Sequence, residues 1–221
     1  MPEHGGHGHG HAHGARRRYG NPPDLARVIR RQLAPRRPGW QKPERVLRAL
    51  GLRRGQVVAD VGAGPGFWTL RLARAVGPAG RVYAVDPEPV MLDALRARLG
   101  RTGVGNVTPV LGRGDDPHLP PASCDVALIV NAYHHFADGP AFLRRLARAL
   151  RRGGRLANID FDKRETPVGP PVGHRVAREA FLRDARRAGL RLVAEHRFLP
   201  YQYFVVLRPG GARAARTRAR R

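Results

Sequence analysis

From about residue 43 to residue 207, short apolar runs alternate with segments whose apolar residues recur every three or four positions. Apolar runs of four to eight residues bounded by turn formers read as strands, and the 3.6-residue period reads as helix. The pattern predicts strands at 56–61, 81–85, 107–111, 124–130, 154–160, 190–198 and 202–207, with helices near 66–76, 88–99, 138–151 and 175–188. Asp138 ahead of Pro140 makes a helix start, and Gly153-Gly154 makes a stop. Upstream, an amphipathic helix is expected between Asp24 and Leu33, stopped by Pro35 and Pro38, and a second over 44–50 ends at Gly51. Alternating strands and helices predict an α/β chain with a doubly wound, mainly parallel sheet. The last two strands are joined only by the turn around Pro200 and Tyr201. That turn is too short for a parallel crossover, so an antiparallel hairpin is expected there.

The run from Val57 to Val61 ends in three glycines at alternate positions, Gly62, Gly64 and Gly66. Leu72, Ala73 and Val76 follow at helical spacing. Strand, glycine turn and helix together bring backbone N–H groups close to a nucleotide-like ligand. The spacing is G-x-G-x-G with Asp60 just ahead, unlike the G-x-G-x-x-G of a dinucleotide site. The next strand ends on Asp86, followed by Pro87. An ionised carboxylate only accepts hydrogen bonds and so suits the two hydroxyls of a ribose. The same Asp86-Pro87-Glu88 run also reads as a helix cap.

Charge changes this picture little. The chain of 221 residues carries 41 basic and 17 acidic side chains, a net charge of +24. All the basic residues except Lys42 and Lys163 are arginine, the composition a GC-rich genome's codon usage produces. In the stretch 143–152 the arginines form the polar face opposite Leu143, Leu146 and Leu150. Non-specific attraction to nucleic acid is expected, without a dedicated site. Cys124 alone excludes a disulfide framework. No apolar run is long enough to span a bilayer and no signal peptide is evident, so a cytoplasmic protein is expected.

Four segments follow: a leader over 1–20, a helical segment over 21–51, the main domain over 52–208 and a basic tail over 209–221. The leader alternates His4, His7, His9, His11 and His13 with glycine and alanine. Its histidines could chelate a metal loosely, but no tetrahedral Cys/His spacing occurs and no metal site is assigned. Leader and tail both read as disordered.

The 57–67 stretch resembles motif I of class I S-adenosylmethionine (SAM)-dependent methyltransferases, in which the turn cradles the amino-acid end of SAM. The resemblance runs from about Trp40 to Leu207 and points to small bacterial methyltransferases related to the ubiquinone/menaquinone-biosynthesis type. It implies the sheet order 3-2-1-4-5-7-6 with the last strand antiparallel. Asn106–Gly112 looks like the third strand, and Asp115 and Asp116 the loop that meets adenine. The strand from Cys124 ends at Asn131, where the family faces the methionine part of SAM. The resemblance thus implies a cofactor site of Asp60, Gly62, Gly64, Gly66, Asp86, Pro87, Asp115, Asp116 and Asn131.

Every strand's C-terminal end contributes to one crevice in such sheets. Tyr133, His134 and His135 fall there, directly after the fourth strand. A histidine titrates near neutrality and can deprotonate a hydroxyl, thiol or acidic carbon, while Tyr133 can orient the acceptor. The expected function is methyl transfer from SAM to a small-molecule O, S or C atom. The alternatives are an RNA or protein methyltransferase recruited by the arginine-rich surface, and a non-catalytic SAM-fold or metal-binding module. Asn131-Ala-Tyr-His departs from the Asn/Asp-Pro-Pro-aromatic motif of amino methylation. Cys124 begins a strand and is placed for the core, which argues against a cytosine C5 nucleophile. A metal-dependent catechol site would use acids at the ends of strands four and five; Asp160 and Asp162 offer some, but Asn131 replaces the first. Trp40, Gln41, Tyr201, Gln202, Tyr203 and the loops 160–164 and 169–174 are the candidates for shaping the acceptor pocket.

Overall fold

In the computed structural model, residues 24–113 and 115–210 are described. The leader over 1–20 and the tail from 211 onward lie outside them. Seven strands form one sheet: β1 (Val57–Val61), β2 (Arg81–Asp86), β3 (Val107–Leu111), β4 (Cys124–Val130), β5 (Leu150–Phe161), β6 (Leu190–His196) and β7 (Gln202–Pro209). Their order is β3-β2-β1-β4-β5-β7-β6, as the resemblance implies. The first five are parallel, whereas β7 runs antiparallel to both β5 and β6.

Helices α1 (Leu25–Gln32), α2 (Arg37–Gln41) and α3 (Pro43–Leu50) precede the sheet. Between strands come α4 (Thr69–Val76), α5 (Pro89–Thr102), α6 (Gly139–Ala149) and α7 (Arg178–Arg187). The two-residue period of the strands divides the core. Val58, Val82, Val126 and Leu128 pack with Leu50, Leu72 and Val76 of α3 and α4, and α5 adds Leu92 and Leu95 against Ala84. On the opposite face Ala59, Ala127 and Ile129 meet Phe142, Leu146, Phe181 and Ala185 of α6 and α7. Cys124 is buried in that layer.

Local signals set several boundaries. Asp24 caps α1 by accepting from Arg27 N at 2.8 Å, and Asp138 caps α6 by accepting from Ala141 N at 2.9 Å. Gly51 ends α3 in the left-handed region. Three expectations needed correction. Gly153-Gly154 does not stop α6, which ends at Ala149; both glycines lie inside β5, because pairing of Leu150 with Cys124 starts the strand early. The glycine turn extends to Trp68, so α4 begins only at Thr69. The proline-rich stretch after α1 holds an unexpected short helix, α2, because Pro38 suits a first helical turn.

Candidate functional site

The C-terminal ends of β1, β2, β4 and β5 lie side by side along one edge of the sheet, the edge where such sheets form a ligand crevice, and the glycine turn follows β1. Gly62, Gly64 and Gly66 have φ of 75°, 53° and 84°. That region is open to glycine at no steric cost. Space adds a second demand: a Cβ on Gly62 would overlap Ala132 Cβ, and one on Gly66 would overlap Leu95. A Cβ on Gly64 would strike the Gln32 side chain, so α1 ends directly above the turn.

Asp86 closes the turn from the side. Its Oδ2 accepts from Gly64 N at 2.7 Å and its Oδ1 from Glu88 N at 3.0 Å. Each oxygen keeps a lone pair, which is what a diol requires. Burial raises the Asp86 pKa against these two bonds. It does not cap α5 by side chain: Glu88 occupies that N-cap, and Pro87 is exposed at the rim. Asp60 is buried one turn deeper, its Oδ2 taking the Thr69 hydroxyl at 2.6 Å. Desolvation pushes its pKa up to about 7, opposed by Thr69 and by the Arg37 charge. Asp60 thus ties α4 to β1 and underlies the turn.

On the other side of the crevice, the segment after β4 forms a 3-10 turn over Tyr133–His135. His134 is buried, and its Nδ1 lies 3.2 Å from both oxygens of Asp160 at the end of β5. Asp160 is fully buried and also accepts from Phe161 N at 2.8 Å. An ionised carboxylate only accepts hydrogen bonds, so the Nδ1 that faces it is the donor of this pair. His135 is exposed, and its ring lies tilted by 41° against that of His134 with centroids 4.2 Å apart.

Tyr133 turns away from this pair. Its ring packs edge-on against Phe181 at 4.7 Å, and its hydroxyl donates to Asp184 of α7 at 2.9 Å. Tyr133 opens the 3-10 turn three residues after β4 ends, and its ring takes the core. Asp115 and Asp116 form ion pairs with Arg145 of α6 at 3.3 Å and 3.8 Å. Asp116 also accepts from His118 N at 2.7 Å.

Residues from both ends of the chain meet at Asn131, which holds φ at 55°. Arg37 Nε donates to Gln41 Oε1 at 2.5 Å, Gln41 Nε2 to Gln202 Oε1 at 3.2 Å, and Gln202 Nε2 to Asn131 Oδ1 at 2.5 Å. A guanidinium can only donate, so it fixes the direction of every amide in this relay. Asn131 Nδ2 is left as a donor at the tip of β4. Gln41 and Gln202 stand out in the sequence only as separate pocket-lining candidates and Arg37 does not stand out at all, because nothing local links positions 161 residues apart.

Arg175 was also missed. It is 4% exposed, and it donates to the carbonyls of Pro170, Asp162, Arg164 and Val168 at 2.6–3.4 Å. One side chain therefore holds the loop 162–170 beside Phe161, whose ring meets Trp40 at 5.5 Å. Arg175→Ala should cost roughly 1.5–3 kcal/mol or more, since hydrogen bonds from a charged donor are lost. Hydrogen exchange should accelerate selectively across 162–170. Unchanged protection there would show that the loop is held by its own packing. Among the described residues no group of three or more His, Cys, Asp or Glu is arranged to hold a metal, and no helix is long and apolar enough to cross a membrane.

The order of this sheet and the carboxylate-flanked glycine turn are those of class I SAM-dependent methyltransferases. Residues 58–154 match the family described as a methyltransferase domain. The chain is 28% identical to a SAM-dependent methyltransferase from Aquifex aeolicus, with a TM-score of 0.79 over 83% of this chain and 97% of that one. It is 36% identical over 127 residues to nocamycin O-methyltransferase of Saccharothrix syringae, covering 58% of this chain and 43% of the relative. It is 34% identical over 123 residues to the ubiquinone/menaquinone biosynthesis C-methyltransferase UbiE of Pasteurella multocida, covering 55% and 45%. The chain thus spans less than half the length of these two relatives. The cofactor that the family and the Aquifex structure imply is SAM. The residues fit it: Asp86, an acceptor-only carboxylate with spare lone pairs, closes a turn whose positive φ angles suit glycine and leave backbone N–H groups uncovered by side chains of the turn itself.

Proposed function

We propose that this chain transfers a methyl group from SAM to a small-molecule acceptor, with His134 as general base. The observation that carries the base is the buried His134–Asp160 pair beside the glycine turn. Bound SAM supplies a methyl group already activated on a sulfonium. The chain's own task is then placement and, for an acceptor that carries a proton, its removal.

In this reading Asp86 accepts from the ribose hydroxyls and the backbone of Gly62, Gly64 and Gly66 lines the amino-acid end. Asp60 acts from beneath the turn, Pro87 forms the rim, and Asp115 and Asp116 form the adenine side. Asn131 Nδ2 donates into the crevice. Asp160 holds the Nδ1 proton, so the acceptor's proton passes to Nε2 and the imidazolium formed is stabilised by the buried carboxylate. Tyr133 sets the position of the 3-10 turn and takes no proton. His135 backs the His134 ring. Loop 162–170 and Trp40 bound the acceptor side.

The two curated relatives carry O- and C-methyltransferase in their names. An oxygen or an acidic carbon is therefore the acceptor atom to test first. Conversion of SAM to S-adenosylhomocysteine should be measured over phenols, quinols, thiols and RNA. Turnover with a phenol or quinol is expected. Turnover with RNA alone would replace this reading by the arginine-surface alternative.

A further inference from the structure

Resting on SAM as the ligand of this crevice, we infer that Arg37 is the anchor for the carboxylate of the cofactor's amino-acid end. Arg37 lies on α2, outside the motifs that mark the cofactor site in the sequence. It is 8% exposed, and its guanidinium carbon lies over Phe67, 4.0 Å from the ring centroid. Phe67 directly follows Gly66, so the cation sits at the end of the glycine turn.

Its hydrogen bonds are incomplete. Nε is used by Gln41, and Nη1 donates to the Gln32 carbonyl at 2.8 Å. Of five N–H donors, two have acceptors among the described residues, and no carboxylate among them comes within ion-pairing distance. The charges around it do not settle the balance. Arg71 and Arg31 repel it, and Asp60, the one acid that stabilises it, is itself pushed towards neutrality by burial. A buried guanidinium without a counter-ion is costly, and burial lowers the Arg37 pKa to about 9.

The ligand's chemistry matches what is missing. SAM has one anionic group, its carboxylate, and a diol that suits Asp86. Arg37 against Phe67 and Asp86 on Gly64 N bracket the turn between a cation and an acceptor. A carboxylate on the free edge of Arg37 would accept two parallel hydrogen bonds and supply the counter-ion. Through Gln41 and Gln202, the same guanidinium orients Asn131. Arg37 would then recognise the cofactor and hold α2 over the turn.

The test compares SAM with decarboxylated SAM, which differs only in the missing carboxylate, by titration calorimetry on the full chain. The wild type should prefer SAM by about 10–100-fold, the range for charge-assisted hydrogen bonds. Arg37→Gln should abolish that preference by weakening SAM alone, with the melting temperature recorded alongside. Arg37→Lys, which keeps the charge and loses the fork, should show a preference between the two and serves if Arg37→Gln does not fold. Equal weakening of both ligands would overturn the assignment and make Arg37 a purely structural part of the roof. An unchanged preference in either variant would also overturn it. A wild type that binds neither ligand would overturn the cofactor reading as well.

Discussion

His134→Asn is expected to lower turnover by about 10²–10⁴-fold, the usual contribution of a positioned general base. The substitution keeps the polar volume and a donor towards Asp160 but removes the ring nitrogen that takes the proton. SAM affinity should stay within a few-fold, because none of the proposed cofactor contacts is made by His134. Asp160→Asn provides the control on mechanism. It leaves His134 in place but removes the charge that fixes its tautomer, so turnover should fall while the pH profile also changes. His135→Asn should be tolerated, since that ring is exposed beside the pair. Near-normal turnover in His134→Asn on an acceptor that must lose a proton would end the base assignment and leave positioning to account for the rate.

Asp86→Ala is the second large effect. Each hydrogen bond to a charged acceptor is worth roughly 1.5–3 kcal/mol, so losing both ribose contacts should weaken SAM by at least about 10²-fold. The variant also releases Gly64 N and Glu88 N, which loosens the turn itself. The ionised carboxylate is the form that accepts from a diol, and burial raises its pKa. Affinity should therefore fall on acidification, beginning at a higher pH than for an ordinary carboxylate, and Asp86→Asn should flatten that dependence. Unchanged SAM affinity in Asp86→Ala, measured by calorimetry, would remove Asp86 from the site.

What was legible beforehand follows from how short the relevant signals are. Strand periodicity, the cap Asp138 and the terminator Gly51 act within a few residues, and each stands where the pattern put it. The hairpin β6–β7 followed from the length of one turn. Gly153-Gly154 misled because a stop signal was read locally, while the strand start was set by pairing with β4. His134 and His135 are adjacent candidate bases of equal standing in the sequence, with Tyr133 beside them to orient the acceptor. Only packing separates them, with Tyr133 donating to Asp184 on α7 and His134 facing Asp160 on β5.

The sequence alone determined the strand–glycine turn–helix unit, the carboxylate at the tip of β2 and the order of elements, because backbone conformation and hydrophobic period are local properties. Tertiary structure decided which polar groups share the crevice. His134 with Asp160, Gln41 with Gln202, and Arg37 over Phe67 join segments that no spacing rule connects. The reason is physical: a buried hydrogen-bonding group must find its partner in space, and the sheet order chooses that partner.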